Sequence, residues 1–207
     1  MDLKMLRDYR KTLMHSWNGP SDGCMRFNVA KCKIMHVGRN NIRADYTMGG
    51  VKLQKVSEEK DLGVVISSDL KPSRQCQVAY NKATKISALI RRTIVNRSPY
   101  IMTKLFKAIV RPHVEYGMVL WSPWYIKDKE LVERVQRRYT KSIQGLKSMS
   151  YIERLQALKL WTLEERRNRN DLIEVYKMIH GKSSIPFSAF CEFRMNKTTR
   201  GHSYTIY

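Results

Sequence analysis

With 207 residues the chain is long enough for one domain or a small pair, and a globule of that size buries roughly 70% of its unfolded surface. Its 39 Lys and Arg stand against 18 Asp and Glu, a formal charge of +21, which sets it apart from an ordinary soluble enzyme and predicts a polyanionic partner. The four cysteines, Cys24, Cys32, Cys76 and Cys191, form no Cys-x-x-Cys pair and have no His-x-x-x-His companion, so they argue against a zinc module and read as reduced thiols.

The N-terminus, MDLKMLRDYRK, alternates charges where a signal peptide would carry an apolar core, and no run reaches the ~18 uncharged residues of a membrane span. The expected location is intracellular, in nucleus or cytoplasm, without secretion or a membrane partner. Residues 2–17 fit one helix, with Leu3, Leu6, Leu13 and Trp17 near helical spacing, and NGPSDG (18–23) breaks it.

A β region follows. FNVAKCKIMHV reads as a strand ending at GRNN, and DYTM and VKLQKV flank Gly49-Gly50 in the pattern of a two-residue hairpin. LGVVI (62–66) reads as a short buried strand, which makes roughly four short strands in all. The composition changes between Asp69 and Ser73, the best subdomain boundary.

From Lys71 the period becomes helical. Cys76, Ala79, Tyr80, Ala83, Ile86, Ile90 and Ile94 fall on one face of a helix of about twenty residues. Ser98-Pro99 starts the next helix, with Ser as cap and Pro in the first turn. Ser150 with Glu153 and Thr162 with Glu165 have the capping-box spacing, and Gly145 and Gly181 are expected stops. YGMVLWSPWY (116–125) is too short to span a membrane, contains Pro123, and is expected in the core. The second half thus reads as about five helices, and the tail after Pro186 has weak periodicity. The expected class is α+β: a segment 1–24, a short antiparallel β region over 25–70, a helical bundle over 71–182 and a tail over 183–207.

Candidate chemistry is sparse. Cys32 and His36 would share one face of a helix, but on a strand they lie about 13 Å apart, beyond a shared metal shell or a nucleophile–base contact. Two-metal phosphoryl chemistry needs carboxylates converging on ions roughly 4 Å apart. No Asp-Asp pair exists, Asp45 is isolated at a hairpin strand, Asp61 and Asp69 lie in turn-like segments, and turn or capping roles account for Glu58-Glu59 and Glu164-Glu165. YTMGGVKL has too few glycines and no following helix for a phosphate loop.

Binding signals are stronger. In LVERVQRRYTKSI, Arg134, Arg137, Arg138 and Lys141 fall at i, i+3, i+4 and i+7, while Val132, Val135, Tyr139 and Ile143 line another face. One buried stripe and one cationic stripe are expected, the latter suited to a phosphate backbone with salt-sensitive, sequence-tolerant affinity. Lys82, Lys85 and Arg92 decorate the long helix, and Arg166, Arg167 and Arg169 another. Trp121, Trp124, Tyr116 and Tyr125 are candidates for base stacking, although core packing is the expected role.

FNVAKCKIMHVG, EEKDLGVVISSDLKPSRQC, VRPHVEYGMVLWSP, the long run from Leu131 to Gly181, and TRGHSY follow one another in an order that resembles the C-terminal part of non-LTR (LINE-type, jockey-like) retrotransposon reverse transcriptases, over about residues 25–205. The resemblance implies a palm-end strand at NVAKCK with Lys31, or else Lys33, near the incoming nucleotide. It implies a primer-grip segment at KDLGVVI, with Leu62 and Gly63 as its Leu-Gly pair. The helices from about Ser73 to Gly181 correspond to the thumb and its extension, against a template and primer duplex of RNA or RNA/DNA. The family's metal-binding aspartates lie in an Ala-Asp-Asp hairpin and an earlier strand, and neither occurs in these residues. NGPSDGC departs from the family pattern, and the fingers and endonuclease domain have no counterpart here. The implied reading is therefore a palm remnant with a thumb, without catalytic residues, metal or cofactor of its own. Mg²⁺ belongs to the complete family enzyme, and a separate palm and fingers polypeptide is a candidate partner. Two alternatives stand beside it: a non-enzymatic, host-retained basic protein that binds nucleic acid or another partner, and a decayed element whose product does not fold stably.

Overall fold

A computed structural model describes residues 28–38 and 40–189; the helix expected over 2–17, Cys24, Cys191 and the end of the tail lie outside them. The chain divides into two compact units, Met1–Gln75 and Cys76–Tyr207.

In the first unit a 3₁₀ turn, Val29–Lys31, precedes β1 (Lys33–Met35), followed by β2 (Thr47–Met48), β3 (Val51–Lys52), β4 (Gln54–Val56), β5 (Glu58–Asp61) and β6 (Val64–Ser67). These form three two-stranded sheets, β1–β4, β2–β3 and β5–β6. The Gly49-Gly50 hairpin is present: Met48 faces Val51, and both glycines take positive φ, 58° and 75°, as the twist of a two-residue turn demands.

Four expectations are corrected here. The strand expected over FNVAKCKIMHV is confined to Lys33–Met35, because Val29–Lys31 close a 3₁₀ turn that the Asn28 side chain caps, accepting from the Ala30 amide at 3.1 Å. The β region is not purely antiparallel, because β1 and β4 pair in parallel, Lys33 opposite Gln54 and Met35 opposite Val56. Parallel strands need a crossover connection of a dozen residues or more, and residues 36–53, with the β2–β3 hairpin inside them, supply it. The strand expected at 62–66 starts two residues later, since Leu62 and Gly63 are the turn of the β5–β6 hairpin, at φ 44° and 88°, and only Val64 of β6 is fully buried. Glu58-Glu59, expected in turn or capping roles, lie in β5 opposite Ser67 and Ile66. Arg74 holds Glu58 through its Nε at 2.7 Å, and Lys33 holds Glu59 at 2.7 Å. Gln75 adds a side-chain acceptor for the Val65 amide at 2.9 Å.

The helices are α1 (Ser73–Thr93), α2 (Pro99–Leu105), α3 (Pro112–Glu115), α4 (Met118–Trp121), α5 (Ile126–Lys141), α6 (Tyr151–Leu158) and α7 (Leu163–Ile179). More breaks occur than the five helices expected, for local reasons. A π turn, Phe106–Val110, joins α2 to α3, with the Arg111 amide reaching back to Phe106 at 2.8 Å. Pro112 has no N–H for the Ala108 carbonyl and its ring crowds that group, so the wider turn accommodates it. Gly117, at φ 63°, then separates α3 from α4.

Both capping boxes form. Ser150 Oγ accepts the Glu153 amide at 3.3 Å while Glu153 accepts the Ser150 amide at 2.7 Å. Thr162 and Glu165 do the same at 3.1 and 2.9 Å. Behind α7, the Lys182 amide bonds the Lys177 carbonyl and the Gly181 amide that of Met178, with Gly181 at φ 62°, the six-to-one and five-to-two pattern of a glycine-terminated helix. Pro99 opens α2 as expected, but Ser98 makes no side-chain cap bond.

The helical core gathers Cys76, Ala79, Ala83 and Ile90 of α1 with Met102, Phe106, Val110 and Val114, and with Val132, Val135 and Tyr139 of α5. Tyr139 is fixed twice, its ring 5.0 Å from that of Phe106 and its hydroxyl donating to the Met102 carbonyl at 2.9 Å. Burial pushes that phenol up to about 12. A polar clasp closes α5 onto the α6–α7 connection. Glu133 accepts from the Tyr151 hydroxyl and from the Leu163 amide, and Gln136 donates to the Tyr151 oxygen at 3.0 Å and the Trp161 carbonyl at 2.9 Å. Arg154, also buried, ties the end of α5 to the following loop through Thr140 Oγ1 at 3.2 Å and the Met149 carbonyl at 2.7 Å. Among the described residues no helix is long and apolar enough to cross a membrane.

Candidate nucleic-acid interface

The sequence of α5 places its two stripes by helical geometry alone. At 100° per residue, Arg134, Arg137, Arg138 and Lys141 fall within an arc of about 100°, and Val132, Val135 and Tyr139 on the other side. The four cations are exposed and the three apolar side chains buried. On that face Tyr139 is fixed against Met102 of α2 and Phe106 of the π turn, which helps hold the helix in one orientation and so sets which way the cations point.

Their partners differ. Arg138 donates to the Tyr80 hydroxyl of α1 at 2.6 Å, and the Arg137 guanidinium lies 5.1 Å over the Tyr151 ring. Arg134 and Lys141 make no ion pair with a described residue. The stretch from Arg134 to Ile152 contains five Lys or Arg and no Asp or Glu, so no carboxylate of its own competes for them. Lys147 is the cation in this run that a strict helical-stripe search misses; the absence of acids over 134–152 is the signal that would have found it.

The remaining sequence candidates are dispersed. Lys82 and Lys85 are exposed on α1, but they stand about 140–160° around that helix from Tyr80, the residue Arg138 touches. They form a second cationic face and do not extend the α5 stripe. The cations of α7 are a correction. Arg166 is engaged by Glu115 at 2.5 and 3.2 Å and Arg167 is only 3% exposed, so of the three only Arg169, exposed and 5.3 Å over the Trp161 ring, is left to solvent. Arg167 sits one turn after Leu163, on the helix face that packs inward, and burial lowers the pKa of its guanidinium.

In the first unit, Lys31 is exposed in the 3₁₀ turn, and Lys33 is the residue paired with Glu59. Leu62 and Gly63 form the tip of the β5–β6 hairpin, and Leu62 is 81% exposed. The aromatic candidates also divide. Trp121 is buried, its indole N–H donating to the Tyr116 carbonyl at 2.8 Å. Tyr116, Trp124 and Tyr125, expected in the core, are exposed, Trp124 by 80%. Within α4 itself a single turn can bury only one side, so Met118 and Trp121 are buried while Val119 and Leu120 are exposed.

Nothing among the described residues assembles a catalytic group. Cys32 Sγ donates to the Asn28 carbonyl and His36 bonds the Asn41 side chain, each on its own side of β1. No three His, Cys, Asp or Glu side chains come together as metal ligands among the described residues. Asp45 faces Lys52 and Lys55 at 2.8 and 2.6 Å. Those hydrogen bonds, Lys52 first, hold its carboxyl at about 2, and a carboxylate so occupied does not fit a magnesium site, so no step through a metal is assigned. Cys76 is buried, and loss of solvation pushes its thiol up to about 12, which makes it inert as a nucleophile.

Compared with known proteins, the chain matches no family model, no curated protein and no solved structure.

Proposed function

We propose that the chain is a portion of a non-LTR retrotransposon reverse transcriptase, the edge of the palm followed by the thumb, and that it holds template and primer by their phosphate backbones without carrying out polymerisation itself. The observation that carries the reading is the α5 stripe: four exposed cations on one arc, backed by a fully buried face, in a run without acids. Each phosphate neutralised by such a cation releases condensed counterions, so affinity falls with salt in proportion to the number of contacts. The order of the family-like segments along residues 25–205 supports the same reading. Absence of the Ala-Asp-Asp motif from these residues supports the inactive half of it.

Binding of an RNA/DNA duplex, followed against salt concentration, tests the first part. Three or four contacts predict a slope of log affinity on log salt of roughly −3 to −4, and a slope near zero overturns phosphate recognition. Primer extension with Mg²⁺ tests the second part. The expected result is no nucleotide incorporation, and incorporation by the purified chain refutes the assignment of the missing aspartates to another polypeptide.

A further inference from the structure

At the C-terminal end of α5 an open, shallow surface depression is lined, among the described residues, by Lys141, Gly145, Lys147 and Ser148. Lys141 is also the last cation of the stripe, so the depression continues the stripe directly. Both lysines are exposed, and neither has a carboxylate partner among the described residues.

The loop uses its backbone donors unevenly. The amides of Ser142, Ile143, Leu146 and Met149 each reach a carbonyl three residues back, and that of Gln144 reaches the Arg97 carbonyl at 3.1 Å. The amides of Gly145, Lys147 and Ser148 donate to no acceptor among the described residues, and the Ser148 hydroxyl is likewise unengaged. The unused donors therefore belong to Gly145, Lys147 and Ser148, each among the described residues that line the depression. Gly145 takes φ +80°, and nothing lies within 4 Å of where its Cβ would stand.

We propose that this depression seats one phosphate group of a nucleic-acid strand lying along α5, an assignment that rests on the function proposed above. Two ammonium groups beside unused amides and a hydroxyl offer charge and donors to the two non-bridging oxygens of a phosphodiester, and the open approach over Gly145 leaves room for the sugars on either side. Lys141 and Lys147 supply the charge, Ser148 and the amides the directionality.

Two measurements on the full chain test it. In the first, ¹H–¹⁵N spectra follow titration with inorganic pyrophosphate and, separately, with a single-stranded 12-nucleotide DNA. The Gly145, Lys147 and Ser148 amides are expected to move with both, and the DNA to displace pyrophosphate. In the second, Lys147→Gln is expected to lower the salt slope for single-stranded DNA by about 0.7 with an unchanged melting temperature. Arg134→Gln is the control for the stripe. If Arg134→Gln lowers the slope while Lys147→Gln leaves it unchanged and the three amides stay still, the seat is wrong and the stripe stands. If pyrophosphate moves the amides but DNA neither binds nor competes, the site serves a free phosphate compound and the proposal falls, while the salt titration with the RNA/DNA duplex decides the function beneath it.

Discussion

The carboxylate of Glu133 accepts the backbone N–H of Leu163 at 2.9 Å, so a side chain of α5 caps the first turn of α7 thirty residues further on. The same carboxylate takes the Tyr151 hydroxyl, and the site is almost closed to solvent. Glu133→Ala would strand two buried donors and is expected to cost about 2–4 kcal/mol, seen as an earlier urea midpoint. Burial raises the pKa of this carboxyl above its ordinary 4.5, the hydrogen bonds from Tyr151 and Leu163 offsetting only part of the effect. A raised folded-state value means that its contribution is fully present below 4.5 and declines as pH rises through the folded value. The stability gap between the native chain and Glu133→Gln should accordingly narrow as pH rises above 4.5; a gap that widens refutes the sign.

Cations that look alike in the sequence should separate by salt. Arg134 has no carboxylate partner among the described residues, whereas Arg166 is engaged by Glu115. Arg134→Gln is expected to reduce the slope for an RNA/DNA duplex by about 0.9. Arg166→Gln should leave the slope unaltered and cost up to about 1 kcal/mol of stability. Equal effects of the two on binding would show that the stripe is not the interface.

Asp45 gives a test of the first unit that does not involve nucleic acid. Its folded pKa of about 2 lies below the ordinary 3.8, because Lys52 and then Lys55 bond its ionised form. The stabilisation is present above 3.8 and is lost as pH falls toward 2. A carboxyl NMR titration should show a midpoint near 2 in the native chain and one near 3.8 in Lys52→Gln/Lys55→Gln. Identical midpoints in both would remove the ion pairs from solution.

Thiol chemistry should discriminate between the two described cysteines. In a Cys24→Ser/Cys191→Ser chain, a maleimide is expected to modify Cys32, which is partly exposed, and to spare Cys76 until the protein is unfolded. Rapid double labelling under native conditions would mean that α1 opens readily.

Features governed by neighbours in sequence were the legible ones. The two capping boxes, the Gly49-Gly50 turn and the paired faces of α5 each follow from spacing within a turn or two of chain. Where distant residues decide the outcome, spacing carried less. Nothing in EEKD favours a strand; its four-residue ladder with β6 makes it one, with Arg74 and Lys33 beside its glutamates. The parallel pairing of β1 with β4 is likewise long-range. Arg166 and Arg167 are adjacent in sequence yet differ by 100° around α7, so one is ion-paired and the other buried. The positions of Arg167 after Leu163, and of Gln136 between Val132 and Tyr139, did mark them as inward-facing; a reading that sorts residues by charge before face overlooks it. For the candidate site the stripe itself was legible, while the loop at Gly145–Ser148 was not, because its unused donors are main-chain groups that every residue possesses.

The parallel pair in the first unit also sets an order of events. β1 and β4 can meet only when residues 36–53 have been gathered between them, and closing a loop of that length opposes folding more than closing a hairpin turn does. The β2–β3 hairpin lies inside that loop, and hairpins form in roughly 1–10 μs. Once formed, it shortens the effective path from Met35 to Gln54. Substitutions at Gly49 and Gly50 should therefore slow the folding of this unit as well as weaken it, and those confined to β1 should act mainly on the rate of unfolding.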